Sequence, residues 1–178
     1  MRSRIVTWQI LGFVFTGIIG VLLHFLYDLS GNNVIVALFS AVNESIWEHM
    51  KLLFFPMLIF SLVENKYIDS EYKNFWCVKL IGSVLGIVMI PVSYYTINGV
   101  FGKTPDWVNI AIFFVTNVFV YFIETILLTR CCMNCKITKK VLIILFGIAL
   151  SFVILTFVPP HIPLFEDPIT NTYGFFGK

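Results

Sequence analysis

Apolar residues fall along this chain in long blocks separated by short polar connections. A block of about 20 residues, rising 1.5 Å each, crosses roughly 30 Å of hydrocarbon. Five blocks reach that length, at 5–27, 44–64, 75–97, 107–129 and 141–158. The first closes at the turn-forming "DLSGNN" and the last stops at Pro159-Pro160. Residues 34–42 (VIVALFSAV) are apolar but too short to cross, and read as a helical lead-in or re-entrant segment. The pattern predicts an all-α, polytopic membrane helix bundle of about five transmembrane helices, followed by a tail over 159–178. No linker, low-complexity tract or internal repeat divides it, so 1–178 reads as a single integral membrane domain. The first block is too long for a signal-peptide core and no small-residue cleavage site follows it, so it is kept as a span.

Composition agrees. The 178 residues are 58% hydrophobic and 12% charged, with mean hydropathy +0.90, where a soluble domain carries about a quarter charged residues. The placement of the charges says more than their sum. Arg2, Arg4, Lys66, Lys73, Arg130, Lys136, Lys139 and Lys140 fall in connections on one side of a five-span chain; Lys103 and Lys178 fall on the other. Basic loops stay in the cytoplasm, so the amino terminus is expected inside and the tail outside, with Lys79 snorkelling from the inner end of the third span. Basic residues scattered between apolar blocks make no nucleic-acid stripe. Membrane lipids are the expected surroundings.

This topology sorts the polar residues. His24, His49 and His161, the three histidines of the chain, all map to the outer side, as do Asp28, Glu44, Glu48, Glu166 and Asp167. His24 and Asp28 share a helical face, and a carboxylate at that spacing fixes an imidazole's tautomer. In "AVNESIWEHMKLLFFPML", Glu44, Glu48 and Lys51 follow i, i+4, i+7 spacing. Ionisable groups within a span are costly and commonly mark function. Three readings stand together here. In the first, His24, His49 and His161 are metal ligands, zinc being the ion that takes three protein ligands and a water; Glu48 or Glu44 is the base and Asp28 and Asp167 are supporting groups. In the second, Glu44, Glu48 and Lys51 relay ions in a small transporter or proton-coupled carrier. In the third, Asn43 caps the helix, Glu44 favours its dipole, Glu48 pairs with Lys51, and the protein is a non-catalytic scaffold or subunit. A metal-dependent membrane hydrolase acting on a lipid or lipid-linked substrate is the leading expectation.

The tail, "FVPPHIPLFEDPITNTYGFFGK", is too rich in proline for a helix. Phe165, Tyr173, Phe175 and Phe176 suit it to lie back over the bundle as a lid. Cys77, Cys131, Cys132 and Cys135 fall on the inner side, where a disulfide is not expected; free thiols are the default, with Cys132 and Cys135 forming one C-x-x-C. Glu124 is expected to reach the inner interface near Arg130 rather than remain a buried hydrogen-bonded group. Gly82 and Gly86 suit close helix packing. No nucleotide-binding glycine loop, G-x-S-x-G or H-E-x-x-H string occurs.

The strings "HFLYDLSG", "NESIWEH" and "PPHIPLFEDP…YG" make the chain resemble a family of small, uncharacterised multi-pass bacterial membrane proteins. The resemblance implies a bacterial cytoplasmic membrane and one undivided domain, and no activity. The ingredients are also loosely similar to those of seven-span metal-dependent membrane hydrolases, which use inward-facing His and Asp, as in His24-x-x-x-Asp28 here.

Overall fold

The computed structural model describes residues 2–68, 72–130, 135 and 138–177. Six helices follow one another: α1 (Arg2–Leu29), α2 (Val34–Ala37), α3 (Ile46–Ile68), α4 (Phe75–Phe101), α5 (Asp106–Arg130) and α6 (Thr138–Phe157). Five are long and apolar enough to cross a membrane, and among the described residues the only strand-like pairing is an isolated bridge between Glu166 and Tyr173. The protein is therefore an all-helical, polytopic membrane protein. The short apolar run after the first span forms α2, one turn long and capped by Asn33, whose side chain accepts from the Ile35 amide at 2.8 Å.

The least apolar helix is the most enclosed. α3 has a mean hydropathy of 1.5 and 67% of its span is buried; α6 has 2.6 and 22%. Lipid reverses the soluble rule. Apolar helices are content facing acyl chains, whereas polar side chains must find protein partners. α3 therefore forms the axis, with α1, α4 and α6 against it and α5 closing between α1 and α4. Rows such as Ile10, Val14, Ile18 and Phe25 on α1, and Ile143, Phe146 and Leu150 on α6, are left exposed toward lipid. Pro56 lies inside α3 and cannot bond the Leu52 carbonyl one turn back. α1 presents Gly20 there, where a Cβ would stand 2.8 Å from that oxygen.

The end of the bundle where α1 begins is held by buried charge. Lys79 Nζ lies 2.7 Å from Glu64 Oε2 and 2.6 Å from Glu124 Oε2, and Gln9 Nε2 donates to Glu64 Oε1 at 2.8 Å. Two expectations are corrected by this. Lys79 does not snorkel and Glu124 does not reach toward Arg130; they are 2% and 0% exposed and paired with each other. Helices α3, α4 and α5 each bring one charge to the same point, so each of the three finds an opposite charge inside the bundle.

A further correction concerns the cysteines. Cys77 and Cys135 are joined in a disulfide, tying the connection before α6 to the start of α4, and the Cys135 amide donates to the Lys73 carbonyl at 3.3 Å. Cys131 and Cys132 lie outside the described residues, and with them the Cys132–Cys135 spacing.

Gly82 makes room for the Glu124 carboxylate, with which a Cβ at that position would collide. Gly82→Ala is expected to cost roughly 1–3 kcal/mol, the range for overpacking a well-filled interior, read as a lower thermal midpoint in detergent. Gly99→Ala, with open space around it, serves as the control and should shift the midpoint little.

Candidate functional site

At the opposite end, the chain between α1 and α3 sets the geometry. After Leu29 it reverses through Gly31 (φ 68°) and Asn32 (φ 60°), runs through α2, and lies back along α1. Ser40 accepts from the Tyr27 amide and donates to the Leu23 carbonyl. The helix start differs from expectation. Ser45, not Asn43, caps α3, its Oγ accepting from the Glu48 amide at 3.4 Å, while Asn43 Oδ1 accepts from the Ser45 amide at 3.0 Å. Glu44 therefore precedes the helix and is not in register with Glu48. It leans across toward α1.

Glu44 lands between two histidines. Its Oε2 is 3.5 Å from His24 Nε2 and 3.6 Å from His49 Nε2, and the rings meet edge-on with centroids 5.3 Å apart. One donor atom from each of the three residues lies within 4.8 Å of the others. His49 is oriented from behind: its Nδ1 is 2.9 Å from the Ser45 carbonyl. A carbonyl only accepts, so that nitrogen carries the hydrogen, and in a neutral ring Nε2 then presents its lone pair toward Glu44. The group is half-buried, with side-chain exposures of 28% for His24, 18% for His49 and 41% for Glu44.

A cavity of about 220 Å³ opens beside it, lined by His24, Asp28, Asn43, Glu44, Asp167 and Thr170 among others. On its other side Glu44 and His49 border a narrow crevice with Tyr94 and Asn109. The tail supplies one wall of the cavity. Leu164 accepts from the Trp47 amide at 3.0 Å and the Phe175 amide donates to the Thr156 carbonyl at 2.9 Å, while Phe165 packs on Trp47 with centroids 4.6 Å apart. Asp167 is held in a tight turn, its Oδ1 accepting from the Ile169 and Thr170 amides at 2.8 and 3.3 Å.

Of the residues singled out by sequence, the structure brings His24, His49 and Glu44 together, with Asp28 and Asp167 on the adjoining cavity wall. His161 is not in the group; it lies exposed on the tail, its ring 4.7 Å from that of Tyr173. Glu48 is also elsewhere. Its Oε2 accepts from Lys51 at 2.6 Å and from the Val42 amide at 3.1 Å, and its Oε1 accepts from Thr156 at 2.8 Å. Lys51 donates further to the Ala37 carbonyl at 3.0 Å and to Thr156 Oγ1 at 2.9 Å. A carboxylate with its oxygens spent in this way is a strut. Thr156, Ser45 and Asn109 were not foreseen as parts of this region; Ser45 alone had a signal, the S-x-x-E spacing of a capping box.

Residues 1–175 match a family of unknown function (DUF6512). No curated protein and no solved structure matches the chain.

Lys51→Met would leave the buried Glu48 carboxylate without its cation. Breaking a buried pair from one side costs about 3–5 kcal/mol, and a large drop in the detergent thermal midpoint is expected. Combining it with Glu48→Gln should recover part of the loss. A strictly additive double variant would show that the pair is not coupled.

Proposed function

The chain belongs to DUF6512, a family of unknown function, and we propose that it is a membrane-embedded hydrolase whose His24–Glu44–His49 group holds a divalent metal, zinc by its ligands. The observation that carries this reading is the meeting of His49 Nε2 with Glu44 Oε2. The Ser45 carbonyl holds the ring so that two electron-rich atoms face each other at 3.6 Å, beyond the usual 2.7–3.2 Å of a hydrogen bond. A cation between them removes the repulsion. Zinc bonds of 2.0–2.1 Å set tetrahedral ligand–ligand edges of about 3.3–3.4 Å, close to the 3.5 and 3.6 Å separations here.

Three protein ligands with a position left for water are the pattern of a catalytic zinc, and an ion bound there would let that water lose a proton and supply the hydroxide that attacks an ester or similar bond. The residues of the chain do the rest. The Ser45 carbonyl orients His49, and Asp28 or Asp167, on the cavity wall, would take the water's proton and return it to the departing alcohol as the ester bond breaks. The cavity lies at an end of the spans, which suits a lipid or lipid-linked substrate whose polar part sits at the membrane surface.

Metal analysis of protein purified without chelators is the direct test. About one zinc per chain is expected, lost in His49→Ala, His24→Ala and Glu44→Gln and retained in His161→Ala. Because ligands bind metal only when unprotonated, acidification should release it. Protein free of metal, or a metal content unchanged in His49→Ala, would sink the reading. The hydrolytic part is checked separately, by incubating metal-loaded protein with membrane lipid extract; release of a polar fragment should disappear in Asp28→Asn or Asp167→Asn while the metal stays bound.

We further propose that the chain sits in a bacterial cytoplasmic membrane with the histidine end outside; the gathering of Arg4, Lys66, Lys73 and Arg130 at the other end supports that orientation. A cysteine introduced at the exposed Pro168 should react with a membrane-impermeant thiol reagent in intact cells. Reaction only after disruption would reverse the orientation, and would put the Cys77–Cys135 bond in the oxidising compartment where such bonds persist.

A further inference from the structure

The second polar group of the bundle stands apart from the histidines and has a charge problem of its own. Gln9, Glu64, Lys79 and Glu124 come from α1, α3, α4 and α5. At 1.5 Å per residue, Glu64 lies roughly 6 Å from the end of α3, Lys79 roughly 6 Å from the start of α4, and Glu124 roughly 9 Å from the end of α5. None of the four is more than 2% exposed.

Lys79 meets the two carboxylates at 2.7 and 2.6 Å, and the rings of Phe75 and Tyr121 each stand 5.5 Å from its ammonium. The Tyr121 hydroxyl is engaged with Thr16 at 2.8 Å. The titratable and charged groups converging here are thus Glu64 on α3, Lys79 on α4, and Glu124 and Tyr121 on α5, with the neutral amide of Gln9 on α1. Two ionised carboxylates against one ammonium leave one negative charge uncompensated. The hydrogen bonds show a matching deficit: Glu124 Oε1 and Gln9 Oε1 are both buried, and neither has a hydrogen-bond partner among the described residues.

One hydrogen ion removes the charge imbalance. On a carboxyl of the pair it brings the formal charge to zero and turns an acceptor into a donor. A buried charge that is not fully balanced tends to neutralise rather than stay charged, and two carboxylates that share one site and one cation do not both ionise readily. Two spare oxygens are too few for a metal ion, since a hard cation such as calcium takes six or more. We propose that the Gln9–Glu64–Lys79–Glu124 cluster is a proton-binding site, holding one exchangeable proton on its carboxyl pair inside the bundle. Because four helices meet there, occupancy by that proton sets how firmly they hold together. The inference does not depend on the metal reading and uses none of its residues.

Infrared difference spectroscopy on the full chain in lipid tests it without any variant. The absorption of a protonated carboxyl group should persist at neutral pH, and should vanish in either Glu124→Gln or Glu64→Gln, whichever removes the carboxyl that carries it. The same variant keeps the fold, because an amide has the shape of the protonated acid. The sign of the pH dependence follows: a folded state that binds one more proton than the unfolded chain loses stability as pH rises, by about tenfold in the folding equilibrium per pH unit. That slope should flatten in the variant relative to the parent. Absence of the protonated band at neutral pH would overturn the proposal and leave an ionised structural triad. A thermal midpoint that rises with sodium at fixed pH would overturn it too, by making the ligand a metal cation.

Discussion

Lys51 is the largest side chain wholly shut away from solvent in the described structure, and its ammonium has three contacts for three hydrogens: Glu48, the Ala37 carbonyl and Thr156. In water such a group would contribute little. In a bundle surrounded by lipid it decides the architecture, because each unsatisfied polar group costs several kcal/mol and the partners must come from the protein itself. Lys51 joins α3 to the end of α2 and to the last turn of α6 at one point. Glu48 extends the same knot to the Val42 amide. With Ala37 and Val42 both anchored, the intervening chain cannot drift from the top of α3, and Glu44 is delivered to a fixed place over α1. The histidine group exists because this knot is tied beside it.

The spans were legible because crossing hydrocarbon demands long apolar runs, and that demand is local. The start of α4 at residue 75 coincides with the expected one, and the other span ends lie within four residues of expectation. What the apolar pattern does not encode is which side of a span turns inward and how deep. Lys79 and Glu124 are 45 residues apart in sequence, so nothing near either announced that the other would be its partner; each taken alone was assigned the cheapest fate for an isolated charge, the interface. The Cys77–Cys135 bond was not expected for a different reason: the basic loops put both cysteines on the inner side, where disulfides are rare. The cap of α3 failed differently. Asn43 and Ser45 are both good capping residues, and choosing the first moved Glu44 onto the helix and out of reach of His24.

The candidate site was half legible. Sorting histidines by side of the membrane grouped His24 and His49, which the fold does bring together, but side is a weak coordinate: His161 was sorted with them and stacks on Tyr173 instead. Glu44 and Glu48 looked equivalent from sequence, either one a candidate base. Folding separates them by what each is bonded to. Glu48 holds one cation, one hydroxyl and one amide, whereas Glu44 faces two imidazoles.

That division bears on where any chemistry at the histidine end would draw its base. A carboxylate committed to Lys51 cannot take a proton from water without releasing a buried ammonium, and the knot that positions Glu44 would loosen with it. Glu44 itself is occupied with the imidazoles. The other carboxylates on the cavity wall are Asp28, at the end of α1, and Asp167, on the tail. Asp167 is there only because the tail folds into its own turn and is fastened to α3 through Trp47 and to α6 through Thr156. The tail is thus more than a cover. It completes the cavity, and the same Thr156 whose hydroxyl secures Lys51 lends its carbonyl to hold the tail in place, so the strut in the bundle and the wall of the site are fixed by one residue.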